Sequence, residues 1–259
     1  EAGIDTKDFF KNTSNTNKDK LLAYTSEGVN FDYDINEFIT GIKKLDEYVK
    51  KSKNPKSGCG TILFYGPSGT GKTELARYVA KLIHRKAVVK KASDLLNPYV
   101  GMSEKNVAST FENLDLKTEI LVMDEVDSFL YNRNISAHSW ENSLVNEFLV
   151  QLQDFKGILI CTTNMKDGLD PAVMRRFSFK LEFNYTNGKQ AESLFNSILK
   201  PISGKSLTKD ELTELVSIKN LTPGDFHVVE NKFSSFFTVT DKIGNKDLLR
   251  ALKEESQKK

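Results

Sequence analysis

The sequence predicts an α/β fold, in which five parallel strands form a sheet flanked by helices and a small all-helical domain follows. Two observations support this prediction. Short apolar runs alternate with amphipathic helical patterns between about residues 31 and 187, and continuous apolar strands separated by helices are typical of a parallel sheet covered on both faces. From about residue 188 the apolar runs end and only helical patterns follow.

Each predicted element has its own signal. Residues 1–20 are polar, which is typical of a linker or a loosely held arm, and a helical pattern begins at about residue 31. The predicted strands contain the apolar runs 62–65, 87–89, 120–123, 158–161 and 177–183. The later helices are predicted at 72–84, 104–114, 141–153, 189–199, 208–218, 224–237 and 245–255. We therefore expect an arm at 1–20, an α/β nucleotide-binding domain at 21–187 and a helical lid domain at 188–259.

The composition argues against several classes of protein. The net charge of +2 over 259 residues leaves no electrostatic footprint for nucleic acid. Apolar runs in the sequence stay well short of the ~20 residues of a membrane span, and we find no secretory signal. Cys59 and Cys161 are too few and too far apart for a disulfide framework or a metal motif, so we expect reduced thiols in a cytoplasmic protein. Because the chain begins with Glu1, we expect it to be part of a longer polypeptide.

The stretch YGPSGTGKT at 65–73 predicts a phosphate-binding loop. It matches the pattern G-x-x-x-x-G-K-T and lies between an apolar run and an amphipathic helix. Glycine backbones let successive N–H groups face a β-phosphate at the positive end of the following helix. In this pattern Lys72 reaches the β- and γ-phosphates and the Thr73 hydroxyl ligates Mg²⁺. We therefore predict a P-loop NTPase sheet whose nucleotide-binding residues are Gly66, Pro67, Ser68, Gly69, Thr70, Gly71, Lys72, Thr73 and Glu74.

Acidic and amide side chains follow two of the predicted strands. Asp124 and Glu125 come directly after the run 120–123, and Asn164 follows the next strand. The carboxyl ends of parallel strands meet at the edge where ligands bind. We expect Asp124 to hold Mg²⁺ through water, Glu125 to act as the general base, and Asn164 to orient the attacking water and the γ-phosphate. The alternatives are a solvated acidic turn and a strand-end cap.

Two adjacent arginines, Arg175 and Arg176, stand at the start of the last predicted strand. Neighbouring side chains point in different directions, so at most one of them can serve the same local partner. A guanidinium group supplied in trans can accelerate phosphoryl transfer ~10³–10⁵-fold. We expect both arginines to lie far along the sheet from their own phosphate loop. Their predicted target is the nucleotide of a neighbouring subunit, which implies a ring. A local ion pair is the alternative for either one alone.

Together these motifs resemble the AAA ATPases from about residue 31 to residue 255. Residues 66–73 are similar to Walker A, 120–125 to Walker B, Asn164 to sensor 1, and the arginine pair to the family's arginine fingers. The resemblance implies that the nucleotide is ATP, bound with Mg²⁺. It also implies a hexamer of identical chains that acts on a protein substrate.

The same resemblance covers two further segments. It implies that Tyr99, Val100 and Gly101 form pore loop 1, which grips a polypeptide in the central channel, so Tyr99 and Val100 are expected to be exposed. The lid segment LTPGDFHVV at 221–229 lacks the sensor-2 arginine of many relatives. This departure is similar to the protein-remodelling branch, where Gly224 would let the lid backbone approach the nucleotide.

We therefore expect a cytoplasmic module that hydrolyses ATP in a ring and remodels, unfolds or disassembles protein substrates through a central pore. No nucleic-acid or membrane partner is expected. One alternative is an ATP-binding oligomeric switch or assembly factor with little turnover, which the presence of Glu125, Asn164 and both arginines disfavours. A second alternative, a P-loop kinase, lacks an evident lid for an acceptor substrate and would have no use for the Tyr99 loop.

Overall fold

The computed structural model describes residues 29–56, 58–99, 101–130, 139–165, 169–236 and 243–258. The predicted arm at 1–20 and the pore-loop residue Val100 lie outside these ranges. The described residues divide into two compact units, one within 31–68 and 75–184 and one within 69–74 and 185–259 together with Val29 and Asn30. The boundary that we placed at 187 from the sequence stays a prediction.

Within the described ranges, six strands form one sheet in the order β1-β6-β2-β5-β4-β3. They are β1 (Asn30–Phe31), β2 (Thr61–Tyr65), β3 (Lys86–Lys91), β4 (Glu119–Asp124), β5 (Leu159–Thr163) and β6 (Phe179–Asn184). Strands β2 to β6 pair in parallel, which confirms the predicted five-stranded parallel sheet. The sequence analysis did not predict β1, because a two-residue edge strand is too short to show a periodicity.

Helices accompany this sheet in the unit of 31–68 and 75–184. They are α1 (Ile35–Lys51), α2 (Lys72–Leu82, whose first turn is assigned to the other unit), α3 (Met102–Glu112), α4 (Asp127–Leu130), α5 (Ser139–Asp154) and α6 (Pro171–Met174). Helix α1 begins at an N-cap, Asp34, whose carboxylate accepts hydrogen bonds from the Asn36 and Glu37 amides at 2.9 Å. The α1 side chain Phe38 meets Phe64 of β2 edge-on, with 5.9 Å between ring centroids.

A second aromatic cluster packs helices α3, α4 and α5 onto strands β4 and β5. Phe129 of α4 stacks on Phe148 of α5 at 4.9 Å between centroids, and Phe111 of α3 meets Phe148 edge-on at 6.4 Å. Met123 and Cys161 lie in the same core and are fully buried. Cys161 forms no disulfide, and burial raises the pKa of its thiol, which keeps it protonated and inert.

The unit of 185–259 is helical in its described part, as predicted. It contains α7 (Gly188–Leu194), a π-helical turn (Phe195–Leu199), α8 (Lys200–Ser203), α9 (Lys209–Ser217), α10 (Pro223–Phe236) and α11 (Asn245–Ser256). Phe195, Leu215, Phe226 and Leu248 are fully buried at its core. Helix α9 begins with a capping box, since Thr208 accepts from the Glu211 amide and the Glu211 carboxylate accepts from the Thr208 amide.

Candidate active site

The predicted acidic and amide residues lie at the same edge of the sheet as the start of the phosphate loop. Tyr65, the last residue of β2, pairs with Thr163, the last residue of β5, and β5 pairs in parallel with β4, which ends at Asp124. Glu125 and Asn164 directly follow β4 and β5. The parallel register therefore brings these residue positions together, as we expected from the strand order of the chain.

The phosphate loop between β2 and α2 contains glycines in the backbone conformations of an anion-binding loop. Three of its glycines have positive φ angles, Gly66 at 130°, Gly69 at 77° and Gly71 at 94°. Positive φ angles are typical of turns whose successive N–H groups bind an anion, and α2 begins at Lys72 with its positive end at the loop. Gly66 also has no room for a side chain, because a Cβ atom there would lie 2.1 Å from the Phe183 carbonyl oxygen.

Gly224 lies directly against the phosphate loop, inside the same compact unit as Gly69. Its amide donates a 2.9 Å hydrogen bond to the Gly69 carbonyl, and a Cβ atom on Gly224 would come within 3.1 Å of the Gly69 Cα. The adjacent turn is fixed by Asp225, whose carboxylate accepts from the Thr222 amide at 2.7 Å. The structure thus places Gly224 where its backbone holds the loop.

Asp124 and Glu125 are both tied to Thr162 of β5. The Thr162 hydroxyl donates to Asp124 Oδ1 and accepts from the Glu125 amide at 3.2 Å. Glu125 has a left-handed backbone with φ of 56°, a conformation that is strained for a residue with a Cβ atom. Its side chain is 53% exposed, and its carboxylate lies 3.5 Å from the Lys91 ammonium group.

Asn164 is positioned through its backbone. Its amide donates to Asp127 Oδ1 at 3.1 Å, and the Thr163 hydroxyl donates to the same oxygen. The Asn164 side chain itself is exposed.

The sequence analysis missed Lys91, Asp127, Thr162 and Thr163. Two consecutive hydroxyls at the end of an apolar strand were a usable signal for Thr162 and Thr163. Lys91 could not be found from the sequence, because its contact depends on β3 pairing beside β4.

The two arginines lie at the opposite edge of the sheet. Arg175 is the exposed C-cap of α6, and the Arg176 carbonyl accepts from the Thr61 hydroxyl at 2.9 Å. Thr61 is the first residue of β2, whereas the phosphate loop follows its last residue. Both arginines precede β6, which begins only at Phe179. The Arg176 Nε atom is buried without a hydrogen-bond partner.

The predicted pore-loop aromatic is exposed on a braced turn. Tyr99 is 76% exposed, and its amide donates to Asn97 Oδ1 at 3.0 Å. Its carbonyl accepts from the Met102 amide at 3.2 Å. Gly101 has a left-handed backbone conformation and is the N-cap of α3. The backbone of this turn is therefore held while the Tyr99 ring lies in solvent.

The chain is similar in sequence to known proteins. Residues 62–185 match the model of the ATPase family associated with various cellular activities, abbreviated AAA. Spastin of Drosophila erecta and spastin of Drosophila melanogaster are each 33% identical to the chain over 165 residues, which are 61% of the chain. The chain contains an AAA domain over residues 62–185. The chain spans 22% of the length of these spastins, and the AAA match contains every site residue predicted from the sequence except Gly224.

Among solved structures, the AAA fold of the chain is similar to a chain in the HORMA:CdnC:Trip13 complex from E. coli MS115-1. The TM-score is 0.65, the sequence identity is 17%, and the match covers 90% of both chains. At this identity the likeness concerns the fold.

The residues of the AAA domain fit a nucleotide that carries its own metal ion. In the part of the chain that the structure describes, no group of three or more His, Cys, Asp or Glu side chains could hold a metal by itself. Mg²⁺ needs fewer protein ligands, because it is commonly bound by one or two carboxylates together with substrate phosphates. None of the helices in the described ranges is long and apolar enough to span a membrane.

Proposed function

We propose that the chain is an Mg²⁺-dependent ATPase module that remodels protein substrates as part of a ring. The observation that carries this proposal is that Asp124, Glu125 and Asn164 lie at the same edge of a parallel sheet as Tyr65, after which the glycine-rich loop begins. The AAA match supports the same activity.

Each residue has a distinct part in this proposal. Lys72 and the loop amides would bind the phosphates, and Thr73 and Asp124 would hold the Mg²⁺ ion, which would supply Lewis-acid stabilisation of the phosphate charge. Glu125 accepts the proton of the attacking water as general base, and Asn164 orients that water. Gly224 holds the loop by its hydrogen bond to Gly69.

The arginines and Tyr99 extend the proposal from one chain to an assembly. Arg175 and Arg176 lie at the sheet edge opposite the phosphate loop, so the nucleotide they serve is that of a neighbouring copy in a hexamer. Tyr99 presents its ring to solvent from a fixed turn. In the assembled hexamer this side chain would grip an unfolded polypeptide, with Val100 and Gly101 beside it.

A switch with little turnover is the second candidate. Lys91 lies 3.5 Å from the Glu125 carboxylate, and a glutamate that is paired with a lysine is less available as a base. In that case the chain would bind ATP and assemble but would hydrolyse ATP slowly.

Steady-state hydrolysis of Mg-ATP, measured beside nucleotide binding, tests the proposal. Glu125→Gln should bind Mg-ATP as wild type does but hydrolyse it at least ~10²-fold more slowly, because the general base is lost. Lys72→Ala should abolish binding, because it removes the charge that meets the β- and γ-phosphates. Equal turnover in wild type and Glu125→Gln would remove Glu125 from the mechanism. If binding is tight while both proteins turn over very little, the switch is favoured.

A further inference from the structure

We propose that Thr162 is a positioning residue that sets the geometry of both Asp124 and Glu125; this inference rests on the ATPase function proposed above. Thr162 contacts three consecutive residues. Its hydroxyl donates to Asp124 Oδ1 and accepts from the Glu125 amide at 3.2 Å, and its carbonyl accepts from the Val126 amide at 2.9 Å. A hydroxyl has one proton and two lone pairs, so it can make both of its contacts at once.

The support for this hydroxyl is rigid. Thr162 is 2% exposed and pairs with Phe64 of β2, while the residue before it, Cys161, pairs with both β2 and β4. Thr162 therefore lies on a strand that is held on both sides. When one carboxylate oxygen of Asp124 is held from such a strand, the direction of the other oxygen is fixed as well. Partners that orient a metal-holding carboxylate in this way act on metal affinity without touching the metal.

The contact with Glu125 acts on the backbone. Glu125 has φ of 56°, and a residue with a Cβ atom keeps this conformation only where its surroundings impose it. The Thr162 hydroxyl binds the Glu125 amide, and the Thr162 carbonyl binds the next amide of the same turn. The two bonds together hold the turn that aims the Glu125 side chain. Loss of the hydroxyl would remove the first bond and the Asp124 contact, while the carbonyl bond would remain.

The test compares Thr162→Val, which has nearly the same shape but no hydroxyl, with Thr162→Ser, which keeps the hydroxyl. Thr118→Val is the matched control, because the Thr118 hydroxyl also donates to an aspartate, Asp115, at 2.7 Å, but at the amino-terminal end of β4. Thr162→Ala replaces the valine variant if the valine variant does not fold. All variants are made in the 259-residue chain.

The first measurement is amide hydrogen exchange of the segment 120–130 in the protein without nucleotide. Thr162→Val should exchange roughly three- to tenfold faster there than wild type, the range expected when one hydrogen bond is lost. Thr162→Ser and Thr118→Val should exchange in this segment as wild type does. Unchanged exchange in a folded Thr162→Val protein would overturn the inference, whatever the activity of the chain.

The second measurement separates positioning from general loss of stability. With Mg-ATP, Thr162→Val should lower kcat roughly ten- to a hundredfold, the scale of small misplacements in an active site, and should raise the Mg²⁺ concentration needed for half-maximal rate. KM for ATP should change less than threefold, and serine should restore kcat. If valine and serine lower kcat equally, Thr162 acts only through packing and the inference fails. A wild-type chain that binds but does not hydrolyse ATP would count against the proposed function, while the exchange data still decide the role of Thr162.

Discussion

At the scale of single residues, the site depends on backbone conformations that few residue types adopt. Gly66 combines a φ of 130° with a Cβ position 2.1 Å from the Phe183 carbonyl oxygen. Glu125 keeps a positive φ although it has a side chain. The first residue must be glycine for steric reasons, whereas the second is held in place by its contacts. This contrast separates a requirement of folding from a feature that we assign to function.

The steric requirement at Gly66 predicts a large loss of stability on substitution. Gly66→Ala should lower the free energy of unfolding by at least ~3 kcal/mol, because backbone strain adds to an overlap that only a backbone shift can relieve. Gly204→Ala is the control, since Gly204 also has a positive φ, 65°, but has no atom within 4 Å of a Cβ position. It should lose about 1–2 kcal/mol from strain alone. Urea denaturation of both variants measures the difference, and equal losses would show that the overlap at Gly66 relaxes freely.

For substitution of Tyr99 we expect the opposite combination, a small effect on folding and a large effect on function. Tyr99→Ala should change the free energy of unfolding by no more than about ±0.5 kcal/mol, because the ring is 76% exposed. Phe129→Ala, which removes a fully buried ring stacked on Phe148, should lose ~3–5 kcal/mol. Under the proposed function, Tyr99→Ala should keep basal ATP hydrolysis but lose its stimulation by an unfolded protein. Tyr99→Phe should keep both, because grip needs the area of the ring more than its hydroxyl.

A melting temperature of Tyr99→Ala that falls as far as that of Phe129→Ala would place Tyr99 in the core and contradict the pore-loop assignment. Retained stimulation by the unfolded protein in Tyr99→Ala would contradict the assignment by a separate route.

The sequence could predict residues whose chemistry follows from local spacing. Gly66, Lys72 and Thr73 belong to one short motif, and Asp124 follows an apolar run that could only be a buried strand. Thr162 was missed, because its role depends on which strand lies beside β5. The two hydroxyls at the end of the apolar run mark the position, but their partners follow from the order of strands in the sheet, which local spacing does not give.

At the scale of elements, one buried ion pair fixes α1 to the chain around β3 and β4. The Arg85 side chain is fully buried, and its Nε lies 2.5 Å from Asp46 of α1. Its guanidinium group also donates to the carbonyls of Leu116 and Glu119. Asp46 is therefore the acidic partner of the Arg85 guanidinium group, which has no access to water. The exposed pair of Glu47 and Lys51 at 3.0 Å, on the same helix, has no such role.

These two pairs predict unequal effects for adjacent substitutions. Asp46→Ala should lower the free energy of unfolding by ~3–5 kcal/mol, because it leaves Arg85 buried without its partner. Glu47→Ala should change it by at most ~0.5 kcal/mol, as is usual for an exposed pair on a helix. The double variant Asp46→Ala/Arg85→Met should regain part of the loss. Denaturant melts of the three proteins measure this, and a small loss in Asp46→Ala would show that water reaches Arg85.

The elements also show where periodicity alone stops being informative. The strand predicted to begin at 177 begins at Phe179, because Arg175 still caps α6 and the next residues complete its turn. The helix predicted at 189–199 changes to a π-helical turn at Phe195. Hydrophobic spacing identifies the type of a long element well, but its ends depend on capping contacts and on packing.

At the scale of the whole molecule, the phosphate loop and the arginine pair lie at opposite ends of one strand, β2. The phosphate loop follows Tyr65, and the Arg176 carbonyl contacts Thr61. The ends of this five-residue strand are roughly 13 Å apart at the usual rise per residue. A cationic group at the far edge from its own phosphate site is well placed to act on the site of another copy. The proposed ring therefore makes the active site a shared property of two chains.

Sharing of the site predicts that two inactive variants restore activity when they are mixed. A chain with Arg175→Ala/Arg176→Ala keeps its phosphate loop, and a chain with Lys72→Ala keeps its arginines, so a mixed ring contains boundaries where both parts are intact. Specific ATPase activity of the mixture should exceed that of either variant alone. Wild-type activity per chain should rise with protein concentration, because a guanidinium group supplied in trans acts only in the assembled ring.

The control for this experiment is a mixture of Lys72→Ala with Glu125→Gln. Both of these changes disable the phosphate side of the boundary, so each chain can supply arginines but neither can supply a working nucleotide site. This mixture should stay inactive at every ratio, which separates true complementation from stabilisation of one inactive protein by another. Activity that is constant with concentration and shows no gain in the arginine and lysine mixture would mean that Arg175 and Arg176 act within their own chain. The buried Arg176 Nε atom, which lacks a hydrogen-bond partner, would then need a partner inside the same subunit.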